Sequence, residues 1–158
     1  MKKIFTIALC TVIAFTVNAQ KKESSSQKFS FGAGPSLNLS MGGGNSNFAI
    51  GAELQATYHA SANFDGFAQA GYVHTLVTGG GGFVPILVGG RYVSGGFTAG
   101  AGIGYGLSTG GGASSGAFAY SPQVGYSFDK FQLVLHYTGL AVTGGSSGFV
   151  GLKGFYNF

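Results

Sequence analysis

Apolar residues alternate with small or polar residues along most of this chain of 158 residues. In residues 29–39, every odd position is apolar and every even position is small or polar. Successive side chains of a β-strand point to opposite sides of the sheet, so a period of two is typical of a strand with one apolar face. Beyond residue 28 no segment has apolar residues at helical spacing, and the sequence predicts an all-β fold.

The same alternation returns seven times, which predicts eight strands. They cover residues 29–39, 48–59, 66–77, 83–93, 97–107, 118–128, 131–138 and 150–158. Two of them, 66–77 and 83–93, alternate less regularly. We assign their faces by placing Gln69 and Arg91 on the polar side.

The connections between the predicted strands are of two kinds. Four are uncharged and rich in Gly and Ser: 40–47, 78–82, 108–115 and 143–148. The three that alternate with them lie around 59–65, 94–95 and 129–130, and the first and the last of these contain charged residues. An aromatic residue follows each Gly/Ser segment, at Phe48, Phe83, Phe118 and Phe149, with spacings of 35, 35 and 31 residues. The repeating unit is therefore a hairpin used four times, which predicts antiparallel strands in up-and-down order.

The composition excludes several classes of protein. Charged residues make up 8% of the chain, against roughly 25% in an ordinary soluble domain. Glycine is abundant, at 31 residues, but the chain has no collagen-like period, and aromatic residues at 15% are too frequent for a disordered linker. Lys2 and Lys3 belong to an expected leader, which leaves six basic residues against four acidic ones. Nucleic-acid binding needs clustered cations and is not expected.

The first residues have the order of a secretory signal peptide. Lys2 and Lys3 precede an apolar run, and Val17, Asn18 and Ala19 supply the small-residue cleavage site. We predict a signal peptide over 1–19, a short polar segment over 20–28 and a barrel domain over 29–158. The only cysteine, Cys10, lies in the leader. Disulfides, cysteine-ligated metals and thiol catalysis are therefore not expected in the mature protein.

An eight-stranded sheet of this kind could form a soluble barrel with its apolar face inside or a membrane barrel with its apolar face outside. The polar face carries three charged residues, Glu53, Arg91 and Lys153, together with Asn, Gln and His side chains. These residues would solvate an exterior poorly, but they suit the narrow lumen of an eight-stranded barrel, which side chains fill. Strands of about 9–12 residues are also long enough to cross a bilayer when tilted. The sequence therefore favours an eight-stranded antiparallel transmembrane β-barrel.

Aromatic residues near the predicted strand ends are typical of girdles at the membrane interfaces. One set is Phe29, Tyr58, Tyr92, Phe128, Phe131 and Tyr156, and the other is Phe48 and Phe118. Parity places Phe83 and Phe149 on the inner face instead, which would require either a bulge or a different register.

In the lumen, Glu53 is the only acidic residue that the alternation places inside. A buried charge is costly unless it is paired. We therefore expect a structural ion-pair network in which Glu53 pairs with Arg91 or Lys153. A cation-lined pore, or a gate whose pair exchanges partners, is the functional alternative.

The chain resembles the small outer-membrane β-barrel family, OmpA/OmpX-like, of Gram-negative bacteria. The resemblance rests on the leader, the eight alternating strands and the ending Phe155-Tyr156-Asn157-Phe158, and it covers residues 29–158. It implies an outer-membrane location, contact with outer-membrane lipid or lipopolysaccharide, and an assembly signal at Tyr156 and Phe158 that the barrel-assembly machinery reads. Members of the family include structural anchors, adhesion or resistance factors and a few lipid-modifying enzymes.

Little in the sequence indicates catalysis. The glycine-rich stretch 102–106 lacks the helix that a nucleotide-binding loop needs. His59, expected at a turn, His74 and the lumenal His136 lack the converging partners of a hydrolase or a metal site, so structural roles are expected. We therefore expect a non-enzymatic, monomeric barrel without cofactor or metal, with a structural or surface-interaction role. A narrow channel and a lipid-modifying enzyme are the alternatives.

Overall fold

The computed structural model describes residues 28–42, 45–109, 116–142 and 145–158. The predicted signal peptide, Cys10 and most of the polar segment 20–28 lie outside the described residues. The same is true of residues 43–44, 110–115 and 143–144, which belong to three of the Gly/Ser segments. Within the described residues, no helix is long and apolar enough to cross a membrane.

In the described chain each strand pairs antiparallel with the next strand in sequence. β8 also pairs antiparallel with β1, which closes the sheet into a barrel. The strands are β1 (Phe29–Gly42), β2 (Asn45–Ser61), β3 (Phe64–Thr75), β4 (Gly82–Ser94), β5 (Phe97–Thr109), β6 (Gly116–Phe128), β7 (Phe131–Val142) and β8 (Gly145–Asn157). The predicted eight-stranded up-and-down architecture is confirmed. Closure gives every strand two hydrogen-bonded neighbours, which is the condition for placing backbone in lipid.

The two irregular strands have the faces assigned from the sequence. Gln69 and Arg91 are both buried inside the barrel, while Ala68, Ala70 and Tyr92 are exposed on its outer surface. The parity of Phe83 and Phe149 is also correct: both rings are buried on the inner side. No slip of register is therefore needed to explain these two aromatic residues.

Several strand ends differ from the prediction. β1 continues to Gly42 and β2 begins at Asn45, so most of the predicted loop 40–47 is paired strand. β8 begins at Gly145, inside the predicted loop 143–148, and β7 continues past its predicted end at residue 138 to Val142. Gly and Ser signal a loop by composition, but nothing prevents them from continuing a ladder that is already in register. His59 likewise lies within β2 rather than at a turn, next to a register shift between His59 and Ser61.

Three connections of two residues each, between β2 and β3, β4 and β5, and β6 and β7, lie at the end of the barrel that holds the chain's last strand residue. Gly95 and Gly96 join β4 to β5, and both have positive φ, the conformation that a two-residue hairpin turn requires. Asp129 also has positive φ, at 51°, in the turn between β6 and β7. We call this the turn end of the barrel, and the opposite end, with the Gly/Ser segments, the loop end.

The three prolines coincide with interruptions in the ladders. Pairing of β1 with β8 is broken around Pro35, pairing of β3 with β4 around Pro85, and pairing of β6 with β7 around Pro122. Proline has no backbone N–H to donate, so each of these residues leaves one side of its strand unpaired. The pairing of each proline with the strand on its other side is retained.

The outer surface is apolar along the barrel. All eight residues of the two predicted aromatic girdles are exposed there. At the turn end, Phe29 packs on Tyr58 at 4.9 Å between ring centroids, and Phe131 packs on Tyr156 at 5.2 Å. A surface of this kind is unfavourable in water and suits the hydrocarbon of a bilayer.

Candidate functional site: the barrel lumen

An ion pair between β2 and β8 lies in the middle of the lumen. Lys153 Nζ is 2.7 Å from Glu53 Oε2, and the two residues are 1% and 2% exposed. β1 separates their strands and carries small residues there, because Glu53 is paired with Gly34 and Lys153 with Ser36. Short side chains on β1 leave room for the two long side chains to meet above them.

A second ion pair lies at the turn end, between neighbouring strands. Asp65 and Arg91 are direct partners in the β3–β4 ladder, and Arg91 Nε donates to Asp65 Oδ2 at 3.4 Å. The other carboxylate oxygen of Asp65 is 2.8 Å from Nδ1 of His59. The guanidinium of Arg91 also lies 5.6 Å from the ring centroid of Phe67. Arg91 is therefore held by charge, hydrogen bonds and an aromatic face.

Four glutamines connect the two ion pairs. Gln55 and Gln69 are cross-strand partners, and Gln69 Nε2 donates to Gln55 Oε1 at 2.8 Å. Gln55 also donates to Gln132 at 2.9 Å, while Gln123 donates to Gln69 at 3.0 Å. Arg91 Nη1 donates to both Gln55 and Gln132 at 3.2 Å. Lys153 Nζ lies 3.4 Å from Gln69 Oε1, which joins the central pair to this set.

His136 continues the hydrogen bonds towards β1. Its Nε2 is 2.9 Å from Asn38 Oδ1, and its Nδ1 is 3.0 Å from Thr138 Oγ1. Thr138 in turn lies 3.0 Å from the hydroxyl of Ser121. We call the connected buried side chains the polar network; it consists of Ser36, Asn38, Glu53, Gln55, Thr57, Asp65, Gln69, Arg91, Ser121, Gln123, Gln132, His136, Thr138 and Lys153.

Towards the loop end the lumen becomes apolar. Phe83 and Phe149 stack with 5.2 Å between ring centroids and an interplanar angle of 21°. Ala49 and Val73 are buried against them, and Leu140 packs on the same cluster. We call these five residues the aromatic plug. An offset stack of this kind adds about 0.5–1.5 kcal/mol to the burial of the two rings.

A cavity of about 10 Å³ remains between the plug and the central ion pair, bordered by Glu53, His136, Lys153 and Phe83 among others. This is close to the smallest volume that holds a single water. Neither carboxylate oxygen of Glu53 accepts a hydrogen bond with suitable angles, although one lies within ion-pair distance of Lys153. Glu53 therefore depends on the charge of Lys153 for its compensation.

The structure brings together two of the three lumenal charges singled out from the sequence. Glu53 meets Lys153, but Arg91 pairs with Asp65 instead of joining them. The expectation that Glu53 is the only acidic residue inside the barrel is wrong, because Asp65 is also buried there. Asp65 lies four residues before Gln69 and so on the same face of the strand, a signal that was hidden by assigning Asp65 to a turn.

The remaining predicted residues are placed as follows. Tyr156 and Phe158 are exposed at the turn end, with ring centroids 5.5 Å apart, and the N–H of Phe158 donates to the carbonyl of Phe31 at 2.8 Å. His74 is on the outer surface, stacked on Tyr72. In the described part of the chain, no three His, Cys, Asp or Glu side chains are grouped as metal ligands. The role of the two terminal aromatic residues in assembly stays a prediction.

Comparison with solved structures finds small outer-membrane barrels. Ail, the attachment invasion locus protein of Yersinia pestis, superposes with a TM-score of 0.62 at 13% identity, covering 82% of this chain and 97% of Ail. The N-terminal β-barrel domain of Pseudomonas aeruginosa OprF gives 0.54 at 12% identity, covering 80% and 97%. Neisserial surface protein A gives 0.53 at 11% identity, covering 85% and 100%.

Comparison of the sequence with protein-family models and with curated proteins gives no match. The likeness to known proteins is therefore one of fold. The chain has the closed eight-stranded barrel of small Gram-negative outer-membrane proteins, as the resemblance noted from the sequence implied.

Proposed function

We propose that this protein is an integral outer-membrane barrel with a structural or surface-interaction role, and that it is neither a channel nor an enzyme. The packed lumen is the observation that carries the proposal. The polar network and the aromatic plug occupy the interior from the turn end towards the loop end, and the cavity between them has room for one water. A side-chain-filled interior supports a rigid scaffold rather than a path for solutes.

The experiment is a conductance measurement on the full chain in planar bilayers, with a known porin reconstituted in parallel. We expect a current no different from the protein-free membrane while the porin conducts. Heat-modifiable migration of the same preparation shows that the sample is folded. Discrete, ion-selective current from the folded barrel would overturn the proposal and favour the narrow channel.

The Gly/Ser segments are uncharged, which limits the kind of partner that a surface interaction of this barrel could involve. In the sequence, the segments 40–47, 78–82, 108–115 and 143–148 contain no charged residue. One structure of Ail holds the heparin analogue sucrose octasulfate. Binding of such a polyanion needs cations, so we do not extend it to this chain. Cells that display the barrel should bind immobilised sucrose octasulfate no better than cells without it, and stronger binding would contradict this limit.

The proposed orientation has the loop end outside the cell and the turn end in the periplasm. Outer-membrane barrels have short periplasmic turns and longer extracellular loops, and the two longest connections between strands in this chain, residues 76–81 and 110–115, both belong to the loop end. An epitope inserted near Gly112 should be labelled on intact cells, and one between Asp129 and Lys130 should be labelled only after permeabilisation. The reverse pattern would invert the topology.

The proposed assembly signal is tested with a variant that leaves the backbone unchanged. Phe158→Ala keeps the N–H that donates to Phe31 but removes the terminal ring. We expect less barrel in the outer-membrane fraction and normal export across the inner membrane. Phe97→Ala, which removes another exposed ring at the turn end, is the matched control. Equal yields of the two variants would count against a signal at Phe158.

A further inference from the structure

Polar side chains from three neighbouring strands meet at the turn end of the lumen. Ser30 of β1 and His59 of β2 are diagonal neighbours, because the N–H of His59 bonds to the carbonyl of Lys28, two residues before Ser30. His59 and Asp65 are direct partners in the β2–β3 ladder. The imidazole on the middle strand therefore reaches a serine on one side and a carboxylate on the other.

The imidazole of His59 bonds to both neighbours. Its Nε2 lies 3.1 Å from the hydroxyl oxygen of Ser30, and its Nδ1 lies 2.8 Å from Oδ1 of Asp65. A carboxylate only accepts hydrogen bonds, so the proton of the neutral ring is on Nδ1, and Nε2 is left to accept from the Ser30 hydroxyl. This is the order of a serine nucleophile, its general base and the acid that orients the base.

The expectation that His59 lacks converging partners is therefore wrong. Ser30 and Asp65 are 29 and 6 residues away from it in the chain and belong to different strands. Only the pairing of β1 with β2 and of β2 with β3 brings the three side chains together.

The three groups differ in exposure. Asp65 is 7% exposed, and its other carboxylate oxygen is held by Arg91. The side chain of His59 is 43% exposed, and Ser30 is half-buried. The orienting carboxylate is thus fixed in the interior, while the base and the hydroxyl are within reach of a molecule that arrives at the end of the barrel.

We propose that Ser30 is an acceptor site for an acyl group from a water-soluble activated ester, with His59 as the general base and Asp65 as a positioning residue. The hydroxyl oxygen attacks the carbonyl carbon and passes its proton to Nε2 of His59. The Oγ–C bond forms as the bond from that carbon to the leaving oxygen breaks, and the leaving oxygen keeps the electron pair and takes the proton from His59. A single transfer leaves the group on Ser30. The proposal therefore adds a modification site and keeps the non-enzymatic role proposed above.

The position of Ser30 favours a donor from water over one from the bilayer. Ser30 lies directly opposite Thr57, which is buried in the lumen, so both side chains are on the inner face of the sheet. The stacked rings of Phe29 and Tyr58 cover the outer face of the same two strands. An ester in the hydrocarbon would meet these rings and not the hydroxyl.

The test is covalent labelling of the folded full-length barrel by an alkyl fluorophosphonate. In this probe phosphorus takes the place of the carbonyl carbon, and fluoride is the leaving group. Intact mass should show one adduct per barrel, and peptide mapping should place it on Ser30. Ser30→Ala should abolish the adduct. Ser127→Ala, which removes another serine of the turn end, is the matched control and should be labelled as wild type.

The rate of labelling tests the two supporting residues. His59→Ala should lower the rate about 100-fold, the smaller end of the effect of a general base, and added imidazole should restore part of it. Asp65→Asn should lower the rate by less than the loss of His59 does. Asp65→Glu returns the negative charge and should regain most of that loss. A merely structural role of either residue would give no such recovery.

Two acyl donors distinguish the source of the group. We expect p-nitrophenyl acetate to acetylate Ser30 and phosphatidylglycerol in the detergent micelle to leave it unmodified. The proposal is overturned if wild type carries no adduct, if the adduct is on another residue, or if only phosphatidylglycerol acylates Ser30. Labelling of His59→Ala, or of the boiled chain, at the wild-type rate would also overturn it. Folding of each variant is checked by heat-modifiable migration before labelling.

Discussion

The polar network and the aromatic plug fill the same lumen by different physical means. The polar network satisfies buried charges and amides by pairing them, as Lys153 does with Glu53 and Arg91 with Asp65. The aromatic plug needs no partners of that kind, because Phe83 and Phe149 gain from contact area and stacking alone. The stability of the polar network therefore depends on which groups face each other, and the stability of the aromatic plug depends on how completely its side chains fill the space.

This difference predicts how each region responds to change. A buried charge that loses its partner costs more than the pair itself contributes, whereas an apolar cluster loses stability in proportion to the space left empty. In the polar network the identity of the partner matters, so damage should be repaired by removing the second charge. In the plug, damage should be repaired only by refilling the volume.

The largest effect is expected at the central ion pair. Glu53→Ala leaves the ammonium of Lys153, which is 1% exposed, without an opposite charge. The free energy of unfolding should fall by about 3–5 kcal/mol, the cost of breaking a buried pair. Denaturant unfolding of the barrel in lipid measures this loss.

A second substitution at the partner residue shows whether the lost stability comes from the unpaired charge or only from the missing side-chain volume. Glu53→Leu/Lys153→Met replaces both charges by apolar side chains and should recover most of the lost stability. Glu53→Leu/Arg91→Met should not, because Arg91 is the partner of Asp65. Recovery with the Arg91 change instead would show that the two ion pairs exchange partners in solution.

In the aromatic plug, Phe83→Ala should lower the free energy of unfolding by about 3 kcal/mol, towards the smaller end of Phe→Ala losses in packed cores. Phe83 is buried against Phe149, Ala49 and Val73, and these side chains can close only part of the space. Phe118→Ala, which removes a ring of the same size from the outer surface of the barrel, is the control and should cost less. Equal losses would mean that the plug is not a packed cluster.

The same variant shows which region closes the lumen. Phe83→Ala opens the loop-end side of the cavity but leaves Arg91, Gln55 and Gln132 connected below it. We therefore expect no conductance from this variant in planar bilayers. Current through the Phe83→Ala barrel would show instead that the aromatic plug is what closes the lumen.

The alternation of residues was sufficient to predict the number of strands and the faces of the six regular ones, because period and burial are tied by strand geometry. It also placed Glu53 and Lys153 in the lumen, whereas Arg91 was assigned there because of its polarity. It could not choose the partners, since that depends on which strands are adjacent and on their register. In the β3–β4 register Asp65 lies directly opposite Arg91. The sequence pattern of one strand cannot show this, because the register is a property of two strands together.

The strand ends were less predictable for a different reason. Gly145 and the serines after it read as loop by composition, yet they pair with β7. Closure gives each strand two partners, and this tertiary pairing extends the ladders into residues whose own preferences are weak. The stack of Phe83 and Phe149 followed from parity alone, although parity did not reveal that the two rings meet.

A smaller effect is expected where the plug rests on β5. A Cβ at Gly106 would overlap the ring of Phe83 and approach Leu140. Gly106→Ala should therefore displace the ring and cost about 1–3 kcal/mol, the usual range for overpacking a core. The double variant Gly106→Ala/Phe83→Leu, with a smaller side chain, should recover part of this loss. Gly66→Ala is the control, because a Cβ there meets only the carbonyl oxygen of Gly89 at 3.9 Å.

The smallest effect is expected at Thr138, which is buried in the polar network. Thr138→Val keeps the shape of the side chain but removes the hydroxyl that lies 3.0 Å from both Ser121 and His136. The loss of unfolding free energy should be about 1 kcal/mol. The loss is small because His136 keeps its contact with Asn38 and Ser121 keeps a long contact with Gln123.

Ser121→Ala combined with Thr138→Val measures the contribution of the hydrogen bond that the two hydroxyls share. The double variant should lose less stability than the sum of the two single variants. Strict additivity would mean that these hydroxyls do not act on each other, and that matched partners are less important in the polar network than its buried charges indicate.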